Sequence, residues 1–272
     1  MNLVQNTLFV SGYWHVAGNQ KRNYSAYLDN LNDTLRMIRG GHLVFYTSEV
    51  DKFDKLFQTC QDLNIQLEII ESEVSSLPAA KLAKELTQQA SRMNIDSLEF
   101  LTLPSKEKGI AHFKRDLQPD AFVYQQMLTI WLSKIALVNN HLNASPFCAW
   151  IDAGFSRVRY ERSNCNLQKL RTTDGRIGFY RSPMSFFGSP LPVSAGFLHA
   201  NKEHWQTLSS LFIETLELFK SIPYAVDEEI IISEIHTRNP DLFYCLGEPY
   251  KLNTFFKKQL HWSYVKILKK FN

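Results

Sequence analysis

The sequence predicts an α/β fold in which a mainly parallel sheet is flanked by helices. Apolar runs of strand length alternate with helix-period patterns through the first half of the chain. These runs lack the strict polar–apolar alternation of strands with one solvated face, which favours strands covered on both faces. Strands that alternate with helices are joined by right-handed crossovers, so we expect most of them to pair in parallel.

The elements follow one another along the first 151 residues. Leu8-Phe9-Val10 is the first predicted strand, and apolar residues at helical spacing over 24–38 end at Gly40-Gly41. Residues 42–47 and 65–70 predict two further strands around a helix over 50–63, and residues 78–92 are mostly helical. A long, largely apolar helix is predicted over 121–142, followed by a buried strand over 147–151.

The composition changes after Asp152. Residues 156–192 are rich in Arg, Ser, Gly, Pro and aromatics, which predicts excursions from the sheet and not a second domain. Helical patterns return at 204–220 and 227–238. We therefore expect a single domain over residues 1–250, followed by a separate C-terminal segment over 251–272.

Composition and charge exclude several classes of protein. The chain has 272 residues, 44% hydrophobic and 21% charged, which is a globular balance. A net charge of +3 is too small to indicate a nucleic-acid partner. A leader and a membrane-spanning run are not recognisable, which predicts a soluble, cytoplasmic protein. The four cysteines are scattered without metal-binding spacing, and Cys148 lies in an apolar run typical of a buried thiol.

The C-terminal segment is basic and amphipathic. Residues 254–272 carry five lysines, and helical spacing would place Phe256, Leu260, Tyr264, Ile267 and Phe271 on one face. Such a helix either lies on an anionic membrane surface or docks its apolar stripe on the domain. The sequence leaves both alternatives open.

Three features point to a ligand site. Asp152 follows the buried strand 147–151, so it emerges at the carboxyl edge of the sheet, where open α/β folds bind ligands. A small-residue turn containing Ser194 and Gly196 precedes a short apolar strand, and Asp227-Glu228-Glu229 opens an apolar helix. Each has an ordinary structural explanation as well, since Asp and Gly form turns and acids cap helices.

In this order the three features resemble a glycosyltransferase of the GT-A type, and most of all the bacterial HtrL/YibB-like proteins, also called WlaTC/HtrL glycosyltransferases. The resemblance is carried by LFVSGYW, KRNYSAYLDNL, LVFYTSE, WIDAG and VDEEIIISEIHTRNPDLF. It implies transfer of a sugar from a nucleotide sugar to a glycan or lipid-linked acceptor in surface-polysaccharide or lipooligosaccharide assembly. It further implies a nucleotide-binding half over 1–152 and an acceptor-side half over 153–250. An acceptor embedded in the inner leaflet would make contact of the basic C-terminal segment with the inner-membrane surface useful.

The resemblance and the chemistry of sugar transfer together assign candidate residues. The donor side comprises Val10, Ser11, Thr47, Ser48, Asp152 and Gly154, with Lys21, Arg22 and Lys134 as cations for the departing diphosphate. Asp227 is the first candidate for the base that deprotonates the acceptor, and Glu228 is the second. The acceptor side comprises Phe186, Phe187, Ser194 and Gly196.

The need for a metal ion stays open. The third position of the DxD-like motif is Gly154, where a second carboxylate would normally bind the metal. Either Asp152 and His261 hold Mn²⁺ or Mg²⁺, or Lys21, Arg22 and Lys134 replace the metal. The alternative function is a non-catalytic carbohydrate- or nucleotide-binding protein on the same fold.

Overall fold

The computed structural model describes residues 4–19, 24–92, 120–157, 173, 175–222 and 226–248. Three of the candidate residues, Lys21, Arg22 and His261, lie outside these ranges, and so does the C-terminal segment 251–272.

A mixed sheet forms the middle of the molecule. Its strands are β1 (Thr7–Tyr13), β2 (His42–Thr47), β3 (Gln66–Glu71), β4 (Phe147–Ile151), β5 (Ile177–Tyr180), β8 (Phe197–Asn201) and β9 (Phe243–Gly247). A separate hairpin consists of β6 (Ser185–Phe186) and β7 (Ser189–Pro190). The seven strands of the sheet lie in the order β3-β2-β1-β4-β8-β5-β9.

Most neighbouring strands of the sheet run parallel, which confirms the predicted class. β1 pairs in parallel with β2 and β4, β2 pairs in parallel with β3, and β5 pairs in parallel with β9. The exception is β8, which is antiparallel to both β4 and β5. Because β8 is reversed, its amino end lies at the same edge as the carboxyl ends of its neighbours.

Helices cover both faces of the sheet. They are α1 (Tyr24–Met37), α2 (Asp54–Asp62), α3 (Ala80–Ser91), α4 (Ala121–Asn139), α5 (Lys202–Phe219) and α6 (Glu228–Arg238). Along β1, Leu8 and Val10 pack in one hydrophobic cluster with α3, α4, α5 and α6, whereas Phe9 packs in the other with α1 and α2. Successive strand residues point to opposite faces, so the sheet is buried on both sides.

Two strands of the sheet differ from the sequence prediction. The prediction that residues 156–192 are excursions from the sheet is wrong for β5, whose four residues are all buried between β8 and β9. The strand β9 was not predicted at all. Both strands are short, and β5 is preceded by Gly175-Arg176 and followed by Ser182-Pro183, so neither shows a readable period.

The helix α4 is long and apolar. Within the described part of the chain it alone has the length and composition of a membrane span, with 56% of its most apolar window buried inside the structure. It packs against α3 and α5 in the larger hydrophobic cluster. The side chain of Asp120 caps its amino end by accepting hydrogen bonds from the backbone of Phe122 and Val123. This packing is that of a core helix, which is compatible with a soluble protein.

Candidate functional site

Asp152 lies at the carboxyl edge of the sheet, directly after β4. Its backbone N–H donates to the carbonyl of Gly196 at 2.8 Å, just before β8 begins. Its Oδ1 accepts a hydrogen bond of 2.7 Å from Trp150 Nε1, two residues earlier on the strand. The side chain of Asp152 is 28% exposed, so this carboxylate remains open to a ligand on one side.

The ammonium group of Lys134 bridges two acids. Its Nζ lies 2.9 Å from Oδ1 of Asp152 and 2.9 Å from Oε1 of Glu228. It also donates to the carbonyl of Ala195 at 3.4 Å, and it lies 5.6 Å from the centre of the Trp150 ring. The side chain of Lys134 is 8% exposed and that of Glu228 is 4% exposed. We call Lys134, Asp152 and Glu228 the charge cluster.

The three charges stabilise one another. Burial opposes the charge of Lys134, but the carboxylates of Asp152 and Glu228 outweigh it and raise the pKa of Lys134 to about 12. Burial also disfavours the charged form of Asp152, yet Lys134 and the hydrogen bond from Trp150 lower the pKa of its carboxyl below the ordinary value. At neutral pH the cluster therefore holds an ammonium beside an ionised Asp152.

The two candidate bases occupy the first turn of α6. Asp227 is fully buried, and its carboxylate accepts a hydrogen bond of 2.9 Å from the backbone of Glu229, which caps the helix. Glu228 is held by Lys134. Neither carboxylate has the solvent access that Asp152 has.

Glu229 connects this helix to the hairpin. Its carboxylate accepts a hydrogen bond from the hydroxyl of Ser182, which in turn accepts from the backbone N–H of Met184 at 2.9 Å. The hairpin carries Phe186 and Phe187, whose rings lie 4.6 Å apart. Phe187 is 48% exposed, so this aromatic pair is available at the surface.

The donor-side candidates on β1 and β2 are mostly core residues. Val10 is fully buried opposite Val44 and Trp150 in the neighbouring strands. Ser11 is 2% exposed and Thr47 is fully buried, with its hydroxyl accepting from the backbone of Glu49. Ser48 is partly exposed, so it is the member of this group that a ligand at the sheet edge can reach.

The small residues lie beside Asp152. Gly196 is buried, and a Cβ added there would lie 3.2 Å from Oδ2 of Asp152. The hydroxyl of Ser194 accepts from the backbone of Gly196 at 3.3 Å. Gly154 lies in the turn after Asp152, where its carbonyl accepts from the backbone of Arg157. The structure therefore brings together Lys134, Asp152, Gly154, Ser194, Gly196 and Glu228.

Two contributors to the site, Trp150 and Arg157, were not predicted from the sequence. Trp150 shares a strand face with the residue two positions later, a period-2 signal that was available in the sequence. Arg157 is exposed, makes no ion pair within the described ranges, and its charge helps to lower the pKa of Asp152. An arginine five residues after the strand-end acid was the only signal for it.

In the part of the chain that the structure describes, the donor atoms around Asp152 do not make up a complete site for a divalent metal ion. Among the described residues, no three His, Cys, Asp or Glu side chains are placed to share one ion. Oδ1 of Asp152 already accepts from Lys134 and Trp150, and the ammonium of Lys134 occupies the adjacent position for positive charge. His261, the second candidate ligand, lies outside the described residues.

A scan of the chain against known protein families finds no match, and a search of curated proteins finds none either.

Proposed function

We propose that the protein is a GT-A-type glycosyltransferase that moves a sugar from a nucleotide sugar to a glycan or lipid-linked acceptor in bacterial surface-polysaccharide synthesis. One observation supports this most directly, namely the contact of Asp152 with two distant segments at the sheet edge. The long helix α4 precedes β4, β4 ends in Asp152, Gly196 precedes β8, and acids open α6. These are the parts that the GT-A resemblance implies, and they converge on one place.

The site residues take complementary roles in this proposal. The exposed side of Asp152 accepts hydrogen bonds from the ribose hydroxyls of the donor, as carboxylates after a strand do in nucleotide-binding α/β folds. Lys134 fixes the carboxylate, and the missing side chain of Gly196 leaves room beside it. Negative charge develops on the departing diphosphate, so exposed cations such as Arg157, and Lys21 and Arg22 beyond the described residues, stabilise it.

The hairpin residues and the C-terminal segment have roles toward the acceptor and the membrane. The rings of Phe186 and Phe187 offer an apolar surface for a sugar face. Ser194 precedes the first residue of β8 by three positions. The basic segment 251–272 would hold a cytoplasmic enzyme on the inner-membrane surface.

A vesicle assay with the full chain tests this role of the segment. We expect the protein to co-sediment with anionic vesicles and not with neutral vesicles.

A second candidate function is a non-catalytic carbohydrate- or nucleotide-binding protein. The observation that favours it is the burial of Asp227 and Glu228, because neither carboxylate is presented to an acceptor hydroxyl. The two functions share a ligand and differ in turnover.

A nucleotide screen followed by a hydrolysis assay tests both functions. We expect UDP-, GDP- or CMP-sugars of one class to raise the melting temperature, since a ligand that binds the folded state stabilises it. The same donor should be hydrolysed slowly, and Asp152→Asn should lower its affinity at least tenfold. Asp62→Asn, an exposed acid on α2, is the control and should behave as the unmodified protein. Binding without turnover would favour the binding protein. A screen without any stabilising nucleotide would refute the glycosyltransferase and would leave the second candidate only as a carbohydrate-binding protein.

A further inference from the structure

We infer that the ammonium of Lys134 fills the cation position of the Asp152 site, so that this site holds its anionic ligand without a divalent metal ion. This inference deepens the proposed function, on which its statement about the donor rests. The statement about the metal concerns the charge cluster alone and can be tested without any nucleotide.

The geometry offers a metal at Asp152 few free oxygen ligands. One oxygen of the carboxylate is occupied at 2.9 Å by Lys134 Nζ and at 2.7 Å by Trp150 Nε1. The other oxygen, Oδ2, lies beside Gly196, whose lack of a side chain leaves that oxygen open to the hydroxyl groups of a ligand. A metal would find one carboxylate, whose Oδ1 is already engaged, and Gly154 in the position of a second acid, so that water and the phosphates of the ligand would have to supply most of its oxygen ligands.

The ammonium is fixed in place. Lys134 is 8% exposed and projects from the buried helix α4 among the side chains of Trp150, Trp205 and Ile232. Glu228 accepts its second hydrogen bond. Moving the ammonium away would leave the carboxyl groups of Asp152 and Glu228 without the ion-pair partner that they share in an apolar surrounding, which is costly. A dication at Asp152 would have to bind beside this ammonium and against its repulsion.

Lys134 and Arg157 supply the positive charge that a metal ion would otherwise supply at this site. A divalent ion in a nucleotide site provides positive charge near the phosphates and orients the acid. Lys134 orients Asp152, and the exposed Arg157 adds positive charge on the solvent side of the same turn. The carboxylate is thereby left to accept hydrogen bonds from hydroxyl groups of the ligand.

The metal arm of the test uses Mn²⁺ alone and follows its binding to the full chain by electron paramagnetic resonance. We expect no difference in Mn²⁺ binding between the unmodified protein and Asp152→Asn at millimolar Mn²⁺. The variant Lys134→Met removes the resident ammonium and keeps both acids, Asp152 and Glu228, and it should gain a Mn²⁺ site that a further Asp152→Asn change abolishes. A Mn²⁺ site in the unmodified protein that Asp152→Asn removes would overturn the inference. The comparison of the unmodified protein with Asp152→Asn decides even if Lys134→Met fails to fold.

The nucleotide arm measures the affinity for UDP, GDP and CMP in EDTA and in Mn²⁺. We expect the affinity of the nucleotide that binds to agree within about threefold between the two conditions. An affinity at least tenfold higher in Mn²⁺ would overturn the inference while leaving the proposed function standing. If no nucleotide binds in either condition, the proposed function fails, and the Mn²⁺ arm still decides whether Lys134 excludes the metal.

Discussion

At the scale of single residues, the charge cluster is a set of groups that depend on one another for their ionised forms. Lys134 contacts both acids and is nearly buried, so its removal would leave Asp152 and Glu228 facing each other without a counter-charge. Breaking a buried ion pair by removing one partner typically costs about 3–5 kcal/mol.

We therefore expect Lys134→Met to lower the free energy of unfolding by about 3–5 kcal/mol, measured by urea denaturation. Lys52→Met is the matched control, because Lys52 forms a surface ion pair with Glu49 and is 47% exposed. It should change the free energy of unfolding by less than about 1 kcal/mol. Equal effects of the two substitutions would show that the charge cluster is not buried as described.

His199 gives a second prediction, which concerns pH. It is fully buried on β8, stacked on Phe147 and hydrogen-bonded to Thr7, and burial lowers the pKa of its imidazole to about 4 from an ordinary 6.5. The unfolded chain takes up the proton below 6.5 and the folded protein does not. The neutral imidazole of His199 therefore makes its full contribution to the free energy of unfolding above pH 6.5. This contribution is lost as the pH falls from 6.5 to about 4, by up to about 3 kcal/mol.

This dependence is measured by urea denaturation at several pH values between 4 and 7.5. The slope of the free energy of unfolding against pH should be smaller in His199→Asn than in the unmodified protein, whatever the stability of the variant at pH 7.5. His15→Asn changes an exposed histidine and should keep the slope of the unmodified protein. An unchanged slope in His199→Asn would contradict the prediction.

The individual members of the charge cluster could be chosen from the sequence, but their contacts could not. Asp152 stands out because it follows a buried apolar strand, and Glu228 because it opens a helix. The hydrogen bond between Lys134 and Glu228 joins residues 94 positions apart, and a pairing of that length depends on the order of the strands. The clue was a lysine within an otherwise apolar helix, which needs a partner if it is buried.

At the scale of elements, Asp227 at the amino end of α6 has two candidate roles, which are helix cap and acceptor base. A side chain at this position caps the helix, and Asp and Asn cap about equally well, whereas Ala loses about 1 kcal/mol. We expect Asp227→Ala to lower the free energy of unfolding by about 1–2 kcal/mol and Asp227→Asn by less than half as much. Asp120→Ala and Asp120→Asn, at the cap of α4, are the parallel controls.

Donor turnover in Asp227→Asn then decides between capping and catalysis. Full turnover at unchanged stability is expected from a capping residue. A loss of turnover at unchanged stability would assign Asp227 the role of acceptor base instead.

Strong periodicity and clear end signals made many elements predictable. The bounds of β2 and β4 coincide with the predicted 42–47 and 147–151, and α4 begins at Ala121 as expected. The reversal of β8 was not predictable from its own residues, because a five-residue apolar strand looks the same in either direction. That reversal is what places Gly196 beside Asp152.

At the scale of the whole molecule, one sheet joins both parts of the chain. β4 lies between β1 from the first half and β8 from the second half, and the larger hydrophobic cluster contains Trp14, Trp150 and Trp205 from both. A chain ending at Asp152 would leave the β8 side of β4 unpaired and its apolar faces partly uncovered.

We therefore expect unfolding in urea to be a single transition. Far-UV circular dichroism follows the helices and tryptophan fluorescence follows the core, and the two curves should superimpose. A fragment of residues 1–152 should show no cooperative transition of its own. Two separated transitions in the full chain, or a folded fragment, would instead indicate two independent domains.

The lysine in the middle of α4 also has a consequence for how the helix is oriented about its own axis. A helix that is apolar on most of its surface can be rotated about its axis and still bury nearly the same apolar area. A shift by one residue corresponds to a rotation of about 100°. In one setting the ammonium reaches both Asp152 and Glu228. In the others it would enter the apolar layer alone. The contacts of Lys134 therefore help to fix the rotation of α4 about its axis, together with the hydrogen bonds of Ser133 with Ala79 and of Asn139 with Ser209. We expect NMR resonances from this helix to broaden or double once both charges are replaced in Lys134→Met/Glu228→Gln.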